Sequence, residues 1–272
     1  MISRLKTLIL AALCAGVFGA PAHALIYGID YNGGTERLVT IDPGTGAQTV
    51  VGNLGISNVS SLAFDTNSGT LWAAKFSSDQ LLSINTITGA ATVAHSLSHR
   101  VVGLSFNPAT GLLFGEDALN DNQLLIDPVA GTTVALGSNG HFEEALAYDP
   151  LGGTLYGTTL SDNLVSINPA TGATSVISGL GMGASGPVTG LAYDFFTGTL
   201  FGYESGSGNL ISINTGTGFV DSTIGPVGGS ITGMTYAPDE EPEPGALPEP
   251  GPLLIFGLGL AAMSVIRRRR KI

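Results

Sequence analysis

The sequence predicts an all-β chain, a five-bladed β-propeller of four-stranded antiparallel blades, with a short apolar helix at the C-terminus. Three observations lead there. An apolar–aromatic–small triplet recurs as Ile26-Tyr27-Gly28, Leu71-Trp72-Ala73, Leu113-Phe114-Gly115, Leu155-Tyr156-Gly157 and Leu200-Phe201-Gly202, at spacings of 45, 42, 42 and 45 residues. Two further short modules recur in phase with it. Nothing between residues 25 and 239 has a helical period.

Each module is about five residues long, rich in β-branched and aromatic side chains, and reads as a strand. The triplet marks strand B. Strand C follows it as Leu38-Val39-Thr40-Ile41-Asp42 and its counterparts, down to Leu210-Ile211-Ser212-Ile213-Asn214. Strand A precedes the next triplet, as in Leu62-Ala63-Phe64-Asp65, Leu104-Ser105-Phe106-Asn107 and Leu146-Ala147-Tyr148-Asp149. A weaker strand D completes the unit, as at residues 173–178. The turns between strands share one chemistry: Asp or Asn accepts main-chain bonds, Pro sets φ, and Gly takes the positive φ that closes the hairpin, as in Asp42-Pro43-Gly44-Thr45-Gly46. Five four-stranded units at this period are the mark of a propeller; a solenoid would repeat faster. The repeat begins at a B strand and ends at an A strand. The first blade is therefore expected to be composite, its A strand supplied by residues 231–237, so that no sheet edge is left open at the seam.

The ends of the chain read differently. Arg4 and Lys6, an apolar run at residues 8–18 and Ala22-His23-Ala24 have the form of a secretory signal peptide spanning residues 1–24. Cys14 is the single cysteine, so the expected mature chain would hold its fold without disulfides. Residues 25–239 form the propeller, residues 240–251 an acidic Pro-rich linker, and residues 252–272 an apolar stretch followed by Arg267, Arg268, Arg269, Arg270 and Lys271. By the positive-inside rule that basic cluster stays cytoplasmic and the propeller lies outside.

The elements Pro248-Glu249-Pro250, a short apolar helix and Arg267, Arg268, Arg269 and Arg270, in that order, resemble the PEP-CTERM sorting signal of Gram-negative bacteria. The resemblance covers about 25 residues. It implies an exosortase, a membrane cysteine protease-transpeptidase, as partner and a cut near the motif. It also implies transient anchoring in the inner membrane, delivery to the cell surface or extracellular matrix, and association with exopolysaccharide and biofilm. The blades also look like generic propeller repeats of the form G-L-A-x-D-P-x-T-G-x-L-Y, which implies fold and little of function.

Charge excludes one class of partner. Residues 25–239 carry 17 acidic residues and only Arg37, Lys75 and Arg100 as bases. Nucleic acid needs Lys and Arg to displace its counterions, so no nucleic-acid partner is expected. No nucleophile elbow, zinc-protease motif, phosphate loop or cysteine nucleophile is present, so no catalytic residue is assigned. The near-identical A–B and C–D turns fall on one rim and read as scaffold. The D–A and B–C loops fall on the other and differ from blade to blade, which is where binding usually sits. Candidate binding residues on that rim are His95, His99 and Arg100 in one D–A loop, His141, Phe142, Glu143 and Glu144 in the next, and Asp117 and Asp121 in a B–C loop. Imidazoles and carboxylates on adjacent loops are metal-ligand types, and the loop from Glu116 to Asp121 offers oxygens of the kind calcium takes, though without the alternating Asp spacing. No cofactor is assigned. Trp72 shares its slot with Tyr27, Phe114, Tyr156 and Phe201 and is expected to pack between blades. The leading expectation is a non-enzymatic surface or matrix protein whose propeller binds a polysaccharide or a surface protein. The alternative is a propeller hydrolase or lyase acting on sugars or lactones.

Overall fold

The structure, a computed structural model, describes residues 25–138, 143–181 and 186–238. The signal-peptide reading and the linker, apolar stretch and sorting motif of the tail lie outside these residues, as do His141 and Phe142. Among the described residues no helix is long and apolar enough to cross a membrane.

Twenty strands form five four-stranded sheets. Blade 1 pairs β20 (Ile231–Ala237), β1 (Leu25–Asn32), β2 (Thr35–Ile41) and β3 (Gln48–Asn53). Blade 2 is β4 (Val59–Asp65), β5 (Thr70–Lys75), β6 (Gln80–Ile84) and β7 (Ala91–Ser96). Blade 3 is β8 (Val101–Asn107), β9 (Leu112–Asp117), β10 (Asn122–Asp127) and β11 (Thr132–Ser138). Blade 4 is β12 (Glu143–Asp149), β13 (Thr154–Thr159), β14 (Asn163–Ile167) and β15 (Thr174–Gly179). Blade 5 is β16 (Val188–Asp194), β17 (Thr199–Glu204), β18 (Asn209–Ile213) and β19 (Val220–Pro226). The composite blade is as expected, with Leu25 opposite Ala237 and Gly28 opposite Met234 across the seam.

The five A strands stand side by side around the axis, β4 beside β8, then β12, β16 and β20, which returns to β4. Hydrophobic packing follows the same circle. Five separate clusters sit one at each blade boundary. Ile29, Leu38 and Leu71 lie in the cluster between blades 1 and 2; Ile41, Phe201 and Tyr236 lie in the one between blades 5 and 1. The repeated aromatics make these contacts. The triplet aromatic of one blade meets the A-strand aromatic of the next: Tyr27 on Phe64, Phe114 on Tyr148 and Tyr156 on Tyr193, with ring centroids 6.1, 5.1 and 5.9 Å apart. Trp72 packs in the same way against the cluster between blades 2 and 3, as expected. The small third residue of the triplet has a steric cause. A Cβ on Gly202 would lie 2.9 Å from Ile213 Cδ1 and 3.0 Å from Val188 Cγ1.

The outer edge carries a second circle of contacts that the repeat pattern does not announce. The left-handed glycine closing each C–D turn lies against the D strand of the preceding blade. Gly46 meets Gly225, Gly89 meets Gly52, Gly131 meets His95, Gly172 meets Gly137, and Gly218 meets Ser178. Each contact falls beside a register shift in that D strand. A bulge bends the strand and brings its backbone under the neighbouring turn. The turns themselves are held as the sequence predicts. Asp42 Oδ1 accepts from the N–H groups of Gly44 and Thr45, and Asn85, Asp127, Asn168 and Asn214 repeat the arrangement.

Candidate functional site: the rim cavity

Antiparallel pairing puts the B–C turns and the starts of the A strands at one end of the axis. There the ring opens into a cavity of about 550 Å³. Its apolar lining includes Val59, Val102 and Ile231. Its wall carries the hydroxyls of Ser60, Thr189 and Thr232, and its lip carries the aromatic rings of Tyr31 and Phe76. Midway along the axis the void narrows to about 10 Å³ between Leu62, Leu104, Leu146, Leu191 and Met234. At the far end, among Phe64, Phe106, Tyr148, Tyr193 and Tyr236, it holds only about 40 Å³. The axial space is therefore widest at the rim of the B–C turns.

The pocket wall follows from a repeated irregularity. In every blade the pairing of A with B slips near the start of A, between Val59 and Ser61 in blade 2 and between Val188 and Gly190 in blade 5. The bulge bends the strand, and Ser60, Val102, Thr189 and Thr232, each the second residue of its A strand, line the cavity. Three of these residues have hydroxyls, and each donates to the first carbonyl of the next A strand: Ser60 to Val101 O at 3.3 Å, Thr189 to Ile231 O at 2.9 Å, and Thr232 to Val59 O at 3.2 Å. These side chains stitch neighbouring blades and line the pocket at once.

Among the described residues Glu36 is the one charged residue of the lining. It is buried, and its two carboxylate oxygens accept from Asn58 N at 2.7 Å and Val59 N at 2.9 Å, pinning the loop that leads into β4. Other acids of this rim serve the fold in the same way. Asp30, fully buried, is ion-paired with Arg37 and accepts from Ser230 N. Glu204 accepts from Ser207 Oγ at 2.6 Å. The Tyr203 hydroxyl donates to Gly229 O at 2.6 Å, and burial, foremost, raises its pKa.

The described residues among those singled out from sequence each have structural partners of their own. His95 is not in a loop: it lies in β7, opposite Leu81, under the Gly131 turn of the next blade. The sequence reading ended that strand too early, because the bulge there interrupts the alternation that marks a strand. His99 Nδ1 bonds Thr133 Oγ1 at 2.8 Å, joining blade 2 to the outer strand of blade 3. Arg100 pairs with Asp79 at 3.2 Å and sits over the Phe76 ring, 5.2 Å from its centroid. Asp117 is buried and caps its own turn, accepting from Leu119 N and Asn120 Nδ2. Asp121 takes the left-handed position of that turn, φ 49°. Glu143 and Glu144 begin β12. Among the described residues no three His, Cys, Asp or Glu side chains gather as a metal site would require. None of His95, His99, Arg100, Asp117 and Asp121 lines the cavity.

Sequence reasoning missed most of the lining, because Ser, Thr and Val in a strand look like packing. The one signal available was position. The residues four after each triplet aromatic are Tyr31, Phe76, Ala118, Leu160 and Ser205, so this slot varies while its neighbours repeat.

No protein-family model matches the chain, and no curated protein matches it. Among solved structures it is similar to a chain of a nidogen–laminin complex, with a TM-score of 0.56 and 13% identity, covering 79% of this chain and 98% of that one. At that identity the likeness is one of fold alone, and it agrees with the closed ring of blades described above.

Proposed function

We propose that this chain is an exported cell-surface or extracellular-matrix protein, sorted by an exosortase through Pro248, Glu249 and Pro250, whose propeller is a non-enzymatic binding module. One observation carries the binding reading. The rim opens into a wide pocket, apolar over most of its exposed lining, in which the one charged side chain among the described residues spends both oxygens on main-chain N–H groups. General acid–base chemistry needs a carboxylate with a proton to give or take within reach of a substrate, and Glu36 is already committed. A pocket of this size, mostly apolar in its exposed lining with several polar groups around it, suits recognition. The similar chain in the nidogen–laminin complex belongs to a protein assembly, which accords with a binding role for this fold.

The exported, exosortase-sorted and exopolysaccharide-associated parts of this reading rest on the signal-like ends of the chain. The test is twofold. In cells, Glu249→Ala is expected to hold the protein at the inner membrane, seen by fractionation; unchanged delivery to the surface would refute exosortase sorting. In vitro, the purified full chain is expected to bind a protein or glycan partner without turnover. Metal-dependent hydrolysis or elimination on a sugar or lactone would replace the binding module with an enzyme.

A further inference from the structure

The pocket also narrows the chemistry of the partner, on the condition that the binding reading holds. The hydroxyls of Ser60, Thr189 and Thr232 already donate to main-chain carbonyls, and Ser205 Oγ donates to Pro187 O at 2.8 Å. A hydroxyl whose proton is committed has only lone pairs left for a ligand. Glu36 adds negative charge. The interior therefore combines acceptors and an anion with apolar side chains. Among the described lining residues, donors remain at Tyr31, Asn58 and Ser230, fewer than the acceptors, and a neutral sugar has hydroxyls that must both donate and accept.

The surroundings point the same way. The tips of the B–C turns carry exposed apolar side chains around the mouth: Tyr31 (49% exposed), Phe76 (39%), Leu119 (66%) and Leu160 (61%). Two of these four are aliphatic and offer no stacking face. Beyond them the domain is strongly acidic, with 17 acids against three bases, and two of those bases, Arg37 and Arg100, are paired with Asp30 and Asp79. Such a surface draws in cationic partners and repels anionic ones.

We propose that the cavity receives a large apolar side chain from a protein segment whose flanking residues are lysine or arginine. The apolar side chain packs against Val59, Val102 and Ile231. The flanking cations meet the acidic rim, and main-chain N–H groups meet the hydroxyl oxygens.

The probe is a fluorescein-labelled pentapeptide, Lys-Lys-Phe-Lys-Lys, titrated with the full chain by anisotropy. It is expected to bind about tenfold more tightly than Lys-Lys-Gly-Lys-Lys, because one buried aromatic anchor dominates such contacts. Binding should weaken several-fold between about 20 and about 300 mM NaCl, as the Debye length shrinks. Tyr31→Ser and Phe76→Ser, both at exposed positions, should each weaken the Phe peptide about fivefold. Phe196→Ser, at a still more exposed aromatic on the opposite rim, should leave binding unchanged. Equal affinity for the Phe and Gly peptides, or equal affinity in Phe76→Ser and Phe196→Ser, overturns the proposal. Binding of cellohexaose, lost in Tyr31→Ser, without peptide binding would overturn it too while leaving the binding module intact. Turnover of a sugar or lactone would remove both.

Discussion

The Asp30 carboxylate accepts the backbone N–H of Ser230 at 3.1 Å, although 200 residues separate them in the chain. The bond belongs to the seam of the ring, where β1 meets the loop leading into β20. Tyr31 N donates to Ser230 O at 2.8 Å beside it, and Tyr203 from blade 5 bonds Gly229 O in the same loop. The seam is thus closed by a hydrogen-bonded ladder, by a hydrophobic cluster and by a buried carboxylate with an arginine partner.

Asp30→Asn tests that carboxylate. It leaves the Arg37 guanidinium, 23% exposed, without its counter-ion in a buried setting, at a cost of about 3–5 kcal/mol. Asp79→Asn breaks the other ion pair of the described residues, but both partners there are largely solvated, so less than about 1 kcal/mol is expected. Urea unfolding of the two variants measures the difference. Equal losses would show that the seam pair is no more important than the surface one.

The outer circle of turn-on-strand contacts makes a second prediction. Gly89 has φ +77°, and a Cβ there would sit 2.7 Å from the Gly52 carbonyl carbon of the preceding blade. Gly69 has nearly the same φ, +71°, with nothing within 4 Å of that Cβ. Gly69→Ala should therefore cost about 1 kcal/mol of backbone strain alone. Gly89→Ala should cost about 3 kcal/mol, because the blades must also move apart. Thermal melting of the two variants separates conformational strain from blade packing.

Tyr193 titrates late. Burial first, then the Asp149 carboxylate across the blade boundary, pushes its pKa from 10.0 up to about 12. In the unfolded chain the phenol ionises near its ordinary value, so between about pH 10 and 12 the unfolded state binds fewer protons than the folded one. Stability held in full below pH 10 is then lost as pH rises to about 12. Tyr193→Phe should flatten this part of the loss in a stability–pH profile. Tyr148, raised by burial and then by its neighbour Asp149, contributes in the same direction. An unchanged slope in Tyr193→Phe would show that Tyr193 is not the titrating group.

Trp72, the only tryptophan, sits at the boundary of blades 2 and 3. Its fluorescence reports one of five interfaces, whereas far-UV circular dichroism reports all twenty strands. A ring whose every blade touches two others should lose them together, so the two transitions are expected to coincide. Fluorescence change at lower denaturant than the circular dichroism change would mean that blades 2 and 3 part before the ring opens.

The repeat was legible because its cause is local. A strand needs alternation, a turn needs Asp or Asn, Pro and Gly, and both recur every 42 to 45 residues where nothing else disguises them. The composite blade could be foreseen for the same reason, since a repeat beginning at B and ending at A has one consistent closure. The site was far less legible. His95, a candidate binding residue, packs beneath Gly131, while Ser60, Thr189 and Thr232, which carry no signal in the sequence, line the pocket.

By itself, then, the sequence determined the strand order, the five units, the turn chemistry and the two rims, all of which depend on neighbours in the chain. Only the tertiary structure decided which side chains face the axis. That choice rests on a one-residue slip at the start of each A strand and on the spacing of five strands around a ring. Contacts between blades set both, and no local pattern records them.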